Sequence, residues 1–127
     1  MALFGRGGAA AHRRGTPADL LVVGLGNPGA EYARSRHNVG AEVVDILAER
    51  HGGALKRSRE RALTTEVRVG DKRVALAFPQ TYMNLSGVAV GELCRYYRID
   101  TTDVLIVCDD VNLPLGRLRA RPGGSEG

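Results

Sequence analysis

Tryptophan is absent, and phenylalanine and tyrosine together supply only 5% of the 127 residues. The chain therefore holds few aromatic platforms. Lysine is nearly absent too: two lysines stand against sixteen arginines. Arginine forks suit phosphate contacts, but a GC-rich genome would favour arginine as well. There are only two cysteines, Cys94 and Cys108. Their separation fits no metal or redox motif. Both lie among apolar neighbours, so buried reduced thiols are expected. No disulfide framework or oxidising compartment is implied. No apolar run is long enough to span a bilayer, and no apolar h-region marks a secretory signal. A cytoplasmic chain without a membrane partner is the expectation.

What is present is ordinary for one globular domain: 43% hydrophobic and 25% charged residues. The net charge of +4 is uneven. Residues 1–18 hold Arg6, Arg13 and Arg14 and no acid, leaving +1 for the remainder. The overall field is thus a weak argument for nucleic-acid binding. The expected organisation is a disordered basic tail over 1–18 and one α/β domain over 19–127. The lack of acids in the tail is faintly transit-peptide-like, and a mis-assigned start is a plainer alternative.

Residues 20–25 (LLVVGL) read as a buried strand, broken by Asn27-Pro28-Gly29. Residues 38–50 read as a helix with Val39, Val43, Ile46 and Leu47 on one face, ended by Gly52-Gly53. Residues 62–69 and 72–78 read as strands joined through Gly70-Asp71, a hairpin signal. Pro79 stops the second. Residues 86–98 have helical periodicity, with Val90, Leu93, Cys94 and Tyr97 on one side. Residues 103–108 (DVLIVC) are another apolar strand, and 117–121 (RLRAR) alternate like an edge strand. The order β-α-β-β-α-β-β predicts an α/β fold: a mixed, mostly parallel twisted sheet flanked by helices. Two helices barely cover such a sheet, so the chain reads as incomplete at its C-terminus.

Gly24-Leu25-Gly26-Asn27-Pro28-Gly29 matches G-x-G-x-x-G, the dinucleotide fingerprint. The pattern misleads. That site needs a helix starting within the glycines, so that its N-terminus meets the pyrophosphate. Here Pro28-Gly29 intervenes and helical periodicity waits until about Asn38. No nucleotide cofactor is expected.

His37 is the best candidate for chemistry. It precedes a helix among polar residues and titrates near neutral pH, so it can take a proton from water. A capping or merely exposed histidine is the plain alternative, and it suits His12 and His51. Asp109 and Asn27 each follow an apolar strand, and in open α/β sheets sites gather at the carboxyl ends of strands. An aspartate beside a histidine fixes its tautomer and stabilises the imidazolium. An ordinary acidic turn is the alternative for Asp109-Asp110. No nucleophile elbow is present. No H-E-x-x-H or cysteine cluster offers metal ligands, so no metal is expected. What remains is attack by water driven by a histidine. Asn27 and Asn84 could hold a carbonyl or amide, and Asn84 also fits a helix N-cap. Arg117, Arg119 and Arg121 would share one face of a strand. That row suits phosphates and equally suits a charge-protected edge.

GLGNPGAEYARSRHNVG, PQTYMNLSGVAV and DDVNLPLGRLRARPGGSEG, in this order, resemble three blocks of the bacterial-type peptidyl-tRNA hydrolases. The resemblance covers nearly everything from about residue 20 onward. It implies a metal-free α/β monomer that cleaves the ester joining a peptide to the 3′ end of tRNA. By position it makes His37 the general base, Asp109 the carboxylate behind it and Asn27 the residue that distinguishes blocked aminoacyl groups. It makes Tyr32, Tyr82, Met83 and Asn84 substrate or tRNA contacts, and Arg121 a phosphate contact. An aromatic such as Tyr32 near the base can stack on a terminal nucleobase. The family continues into a G-H-N-G-L block and a basic segment, whereas this chain stops at Gly127. Reduced activity and an uncovered sheet face are therefore expected. Two rivals are a non-catalytic RNA-binding relative, such as the plastid splicing-factor branch of the family, and an inactive gene fragment.

Overall fold

The computed structural model describes residues 17–26, 38–58, 61–80, 86–109 and 119–120. These form β1 (Leu20–Gly24), α1 (Val39–Arg50), β2 (Lys56–Arg57), β3 (Ala62–Val69), β4 (Lys72–Pro79), α2 (Ser86–Tyr97) and β5 (Val104–Val107). A 3-10 turn at Thr101–Asp103 leads into β5. The five strands make one sheet in the order β2-β3-β4-β1-β5.

The expected α/β fold with a mixed sheet is what the chain adopts. β1 pairs in parallel with both β4 and β5. β3 pairs antiparallel with β2 and β4. Parallel pairings are thus half of the total rather than most of it, because the hairpin and the short β2 extend the antiparallel side. β2 escaped the sequence reading, since two exposed basic residues carry no alternation to recognise.

Apolar strand residues alternate between the two faces. Val22, Val67, Val74 and Leu76 pack under α1 through Val44 and Ala48. Leu21, Val23, Ala62, Ala75 and Ala77 pack under α2 through Leu93, Cys94 and Tyr97. The α2 face matches the expected one, with Val90 only partly buried. The α1 face does not. Gly40, Ala41, Val44 and Ala48 are its buried residues. Val39 and Ile46, expected inside, are exposed. Small residues let the helix sit closer to the sheet, and periodicity counted on large aliphatics alone points to the neighbouring stripe.

The turns follow local chemistry. Gly70 takes φ 62° at the first turn position between Val69 and Lys72, which are paired. Asp71 follows in an ordinary conformation, the glycine-first order of a two-residue hairpin. Gly52, at φ 80°, ends α1. Gly53 N donates to Ala48 O at 2.8 Å and Gly52 N to Glu49 O at 3.3 Å, a Schellman closure.

The β5 edge of the sheet is exposed. Leu105 and Ile106 are 50% and 41% exposed, one on each face of the outermost strand. No strand among the described residues pairs with its outer side. Of the edge strand expected over 117–121, the described residues Arg119 and Ala120 are exposed and outside any strand. Cys94 is buried, and burial, with the Asp100 carboxylate adding to it, pushes its thiol up to about 11. Cys108 is only half-buried, because it lies past the end of that open edge strand. Burial also pushes the Tyr97 hydroxyl upward. That hydroxyl donates to Glu66 Oε2 at 2.8 Å, and Arg73 pairs with the other Glu66 oxygen at 3.3 Å.

Candidate active site

β1, β4 and β5 are mutually parallel, so all three end on the same rim of the sheet. α1 covers one face and α2 the other. The helices that follow the adjacent strands β1 and β4 thus lie on opposite faces of the sheet. In open α/β sheets, the carboxyl rim at such a switch point is where ligands bind. Residues 25–38 follow β1, residues 80–85 follow β4, and Asp109 comes two residues after β5.

Backbone contact holds the β1 and β5 side of this rim together. Gly24 is registered against Val107. Leu25 N donates to Val107 O at 2.9 Å. The first turn of α1 presses onto that junction. A Cβ on Gly40 would overlap the Val107 carbonyl oxygen and lie 2.6 Å from Leu25 N. A Cβ on Gly24 would overlap the Gly40 carbonyl. A Cβ on Gly26 would lie 2.9 Å from Asn38 Oδ1. Gly24 and Gly26, two of the glycines that imitate a nucleotide fingerprint, thus serve a different end: they let the start of a helix touch the ends of two strands.

Asn38 sits at the N-cap position of α1 and is 4% exposed. Its side chain makes no capping hydrogen bond and packs beside Gly26 instead. Of the residues the sequence singled out, Asp109 is described; it is half-buried just beyond β5. His37, Asn27, Tyr32, Tyr82, Met83, Asn84 and Arg121 lie outside the described residues. Sequence reading missed Asn38 and Gly40, although both stand in the HNVG run. A glycine in the first turn of a helix was the available signal, since it costs helix stability and implies close approach.

Comparison with known proteins decides the family. The family model described as peptidyl-tRNA hydrolase matches residues 21–127. The chain belongs to the peptidyl-tRNA hydrolase family. A relative named peptidyl-tRNA hydrolase in Moorella thermoacetica is 56% identical over 108 residues, which cover 85% of this chain and 57% of the relative. Another, in Desulforudis audaxviator, is 54% identical over 107 residues, covering 84% of this chain and 55% of the relative. The crystal structure of peptidyl-tRNA hydrolase from Acinetobacter baumannii superposes with a TM-score of 0.71 at 36% identity. That match covers 78% of this chain and 52% of the other. The chain spans about half the length of the curated relatives it matches. Within the peptidyl-tRNA hydrolase fold, the described portion is therefore the sheet with its β1, β4 and β5 rim and two flanking helices. Among the described residues no helix is long and apolar enough to cross a membrane.

Proposed function

We propose that this chain hydrolyses the ester between a peptide and the 3′ end of tRNA, as a cytoplasmic monomer without a metal. One observation supports the reading above others. The β1–β5 register, with Gly40 pressed onto Val107 and Leu25, gathers Gly26, Asn38 and Asp109 at one rim. His37 is one residue from Asn38 and Asn27 one residue from Gly26. That sequence adjacency is what supports assigning the chemistry of this rim to His37 and Asn27.

In this reading His37 takes a proton from water while the water oxygen attacks the ester carbonyl carbon. Asp109 holds the imidazole in the basic tautomer and stabilises the imidazolium. The tetrahedral intermediate then expels the ribose oxygen, which receives the proton from His37. The products are a peptide carboxylate and tRNA with a free 3′-terminal hydroxyl. Asn27 and Asn84 hold the peptide end. Tyr32, Tyr82 and Met83 contact the substrate around the ester, and Arg121 meets a phosphate. Residues 19–127 are the N-terminal portion of the hydrolase domain, preceded by a basic tail over 1–18.

His37→Ala should lower release of tRNA from an N-acylated aminoacyl-tRNA by roughly 100-fold or more, with an unchanged melting transition. Equal turnover by the variant would remove His37 from the mechanism. RNA binding by the parent without any turnover would favour a non-catalytic relative.

A further inference from the structure

A second polar feature lies on the same rim, beyond β4. Arg57, Ser58, Arg61, Ala62 and Gln80 line an open cleft of ≈ 460 Å³. Its walls are fixed by backbone pairing. Ser58 N and Oγ both donate to Ala62 O, at 2.9 and 3.0 Å. Gln80 N donates to Arg61 O at 2.6 Å. These bonds tie the end of β2, the start of β3 and the end of β4 into one frame. Arg61 stands in the left-handed region, at φ 59°, so the backbone turns sharply where its side chain departs.

Among the described residues, the charge in this cleft is incompletely matched. Arg61 meets Glu92 through Nε alone, at 3.6 Å, and its side chain is 58% exposed. That single long contact leaves the terminal guanidinium nitrogens with donor capacity. Arg57 is exposed and has no carboxylate partner among the described residues. The Gln80 amide uses one N–H weakly, toward Phe78 O at 3.4 Å, and keeps another. Two arginines and a glutamine lining one concave rim suit a phosphate oxygen better than a neutral group. The position selects which phosphate. β4 is the immediate neighbour of β1, and β3 is the next strand out. Steps of about 4.8 Å put the cleft roughly 10 Å from the β1 end. Gln80 also begins the segment that carries Tyr82 and Asn84.

We infer that the Arg57–Arg61–Gln80 cleft is a phosphate subsite that grips the RNA backbone a short way from the hydrolysed ester. The inference rests on peptidyl-tRNA being the substrate. The subsite positions the nucleic acid and takes no part in the chemical step. Phosphate contacts of this kind fix register and orientation without reading sequence.

The test is binding of a fluorescein-labelled RNA hairpin with a single-stranded CCA 3′ end, measured by anisotropy across a salt series. Arg57→Gln/Arg61→Gln should weaken binding roughly 10-fold at about 150 mM salt and lower the salt slope by about 1 to 2. Arg57→Glu alone, at an exposed position with little bearing on folding, should weaken it at least as much as Arg57→Gln. Arg68→Gln/Lys72→Gln removes the same charge at the far end of the β3–β4 hairpin and should change binding less than 2-fold. Equal losses in the two double variants would reduce the cleft to part of a general field and overturn the subsite. No loss in either, or no RNA binding by the parent, would overturn it too. Displacement of the RNA by inorganic phosphate at constant ionic strength would assign a free-anion site and overturn the backbone assignment. The proposed hydrolysis is judged separately. Parent activity with cleft variants that bind normally sinks the subsite alone, whereas an inactive parent sinks the hydrolytic reading.

Discussion

The two helices are held against the sheet in opposite ways. α2 is anchored by bulk: Leu93, Cys94 and Tyr97 are fully buried against Leu21, Val23, Ala75 and Ala77. α1 is anchored by the lack of bulk. Gly40, Ala41 and Ala48 face the sheet, and only Val44 brings a larger buried side chain. Bulk stabilises through apolar area, about 1.5–3 kcal/mol for a buried leucine. Close approach yields less area but fixes where the helix starts to within a backbone contact. α1 starts at the rim beside Val107 and Leu25, whereas α2 spends its large residues nearer the middle and far end of the sheet. One helix brings more apolar bulk to the core, and the other fixes the backbone geometry of the β1–β5 rim.

That division can be broken from the stability side first. Leu93→Ala should cost about 2–5 kcal/mol by removing buried methyl groups and leaving a cavity under α2. Thermal or urea unfolding would measure the loss. Turnover per folded molecule should stay near that of the parent, since nothing at the rim moves. A turnover loss larger than the folded fraction explains would show that α2 also positions the site.

Gly40→Ala attacks the other helix. The added Cβ meets the Val107 carbonyl, Leu25 N and Leu25 O, all of them backbone. None can rotate away, so the start of α1 must retreat. Overpacking of this kind costs about 1–3 kcal/mol, less than the leucine loss. Its effect on hydrolysis should be the greater of the two, because a shift of about 1 Å at a catalytic group can lower rate roughly 100-fold. Activity and unfolding measured on the same preparation check this. A Gly40→Ala chain with parental turnover would separate the helix start from His37.

This contrast also explains what the sequence made legible. Strands β1, β3 and β4, the Gly70-Asp71 hairpin and the α2 face carry strong local signals: apolar runs, turn glycine and 3.6-residue spacing. The α1 face was misjudged because its contact is made by glycine and alanine, which a hydrophobic stripe ignores. β5 read as an apolar strand from DVLIVC, yet its place in the sheet is set by long-range pairing. At the edge, Leu105 and Ile106 remain exposed. The site was legible only as polar residues after apolar strands. Gly24, Gly26 and Gly40 were visible letters whose meaning needed the third dimension. The Arg57 and Arg61 cleft gave no signal at all, because it assembles from the end of β2, the start of β3 and the residue after β4.

The helix ends supply the smallest and cleanest comparison. Both close in the same way. In α2, Ile99 N donates to Cys94 O at 2.9 Å and Arg98 N to Arg95 O at 3.3 Å. This matches the pattern that Gly53 and Gly52 make on α1. The closure needs a left-handed residue, and the two helices fill it differently. Gly52 does so at φ 80° without strain, whereas Arg98 does so at φ 54° with a Cβ that crowds its own carbonyl. Ile99, the next residue, is buried and locks the motif in place. Arg98 is exposed, so little packing is lost if it is replaced. Arg98→Gly should therefore stabilise the chain by roughly 0.5–1 kcal/mol, the relieved strain outweighing the added freedom of the unfolded chain. Gly52→Ala should destabilise by a similar amount, since nothing lies within 4 Å of the added Cβ and only the backbone conformation resists it. Paired melting curves would show the two shifts in opposite directions. A destabilised Arg98→Gly would mean that the arginine side chain contributes more at the end of α2 than its backbone conformation costs.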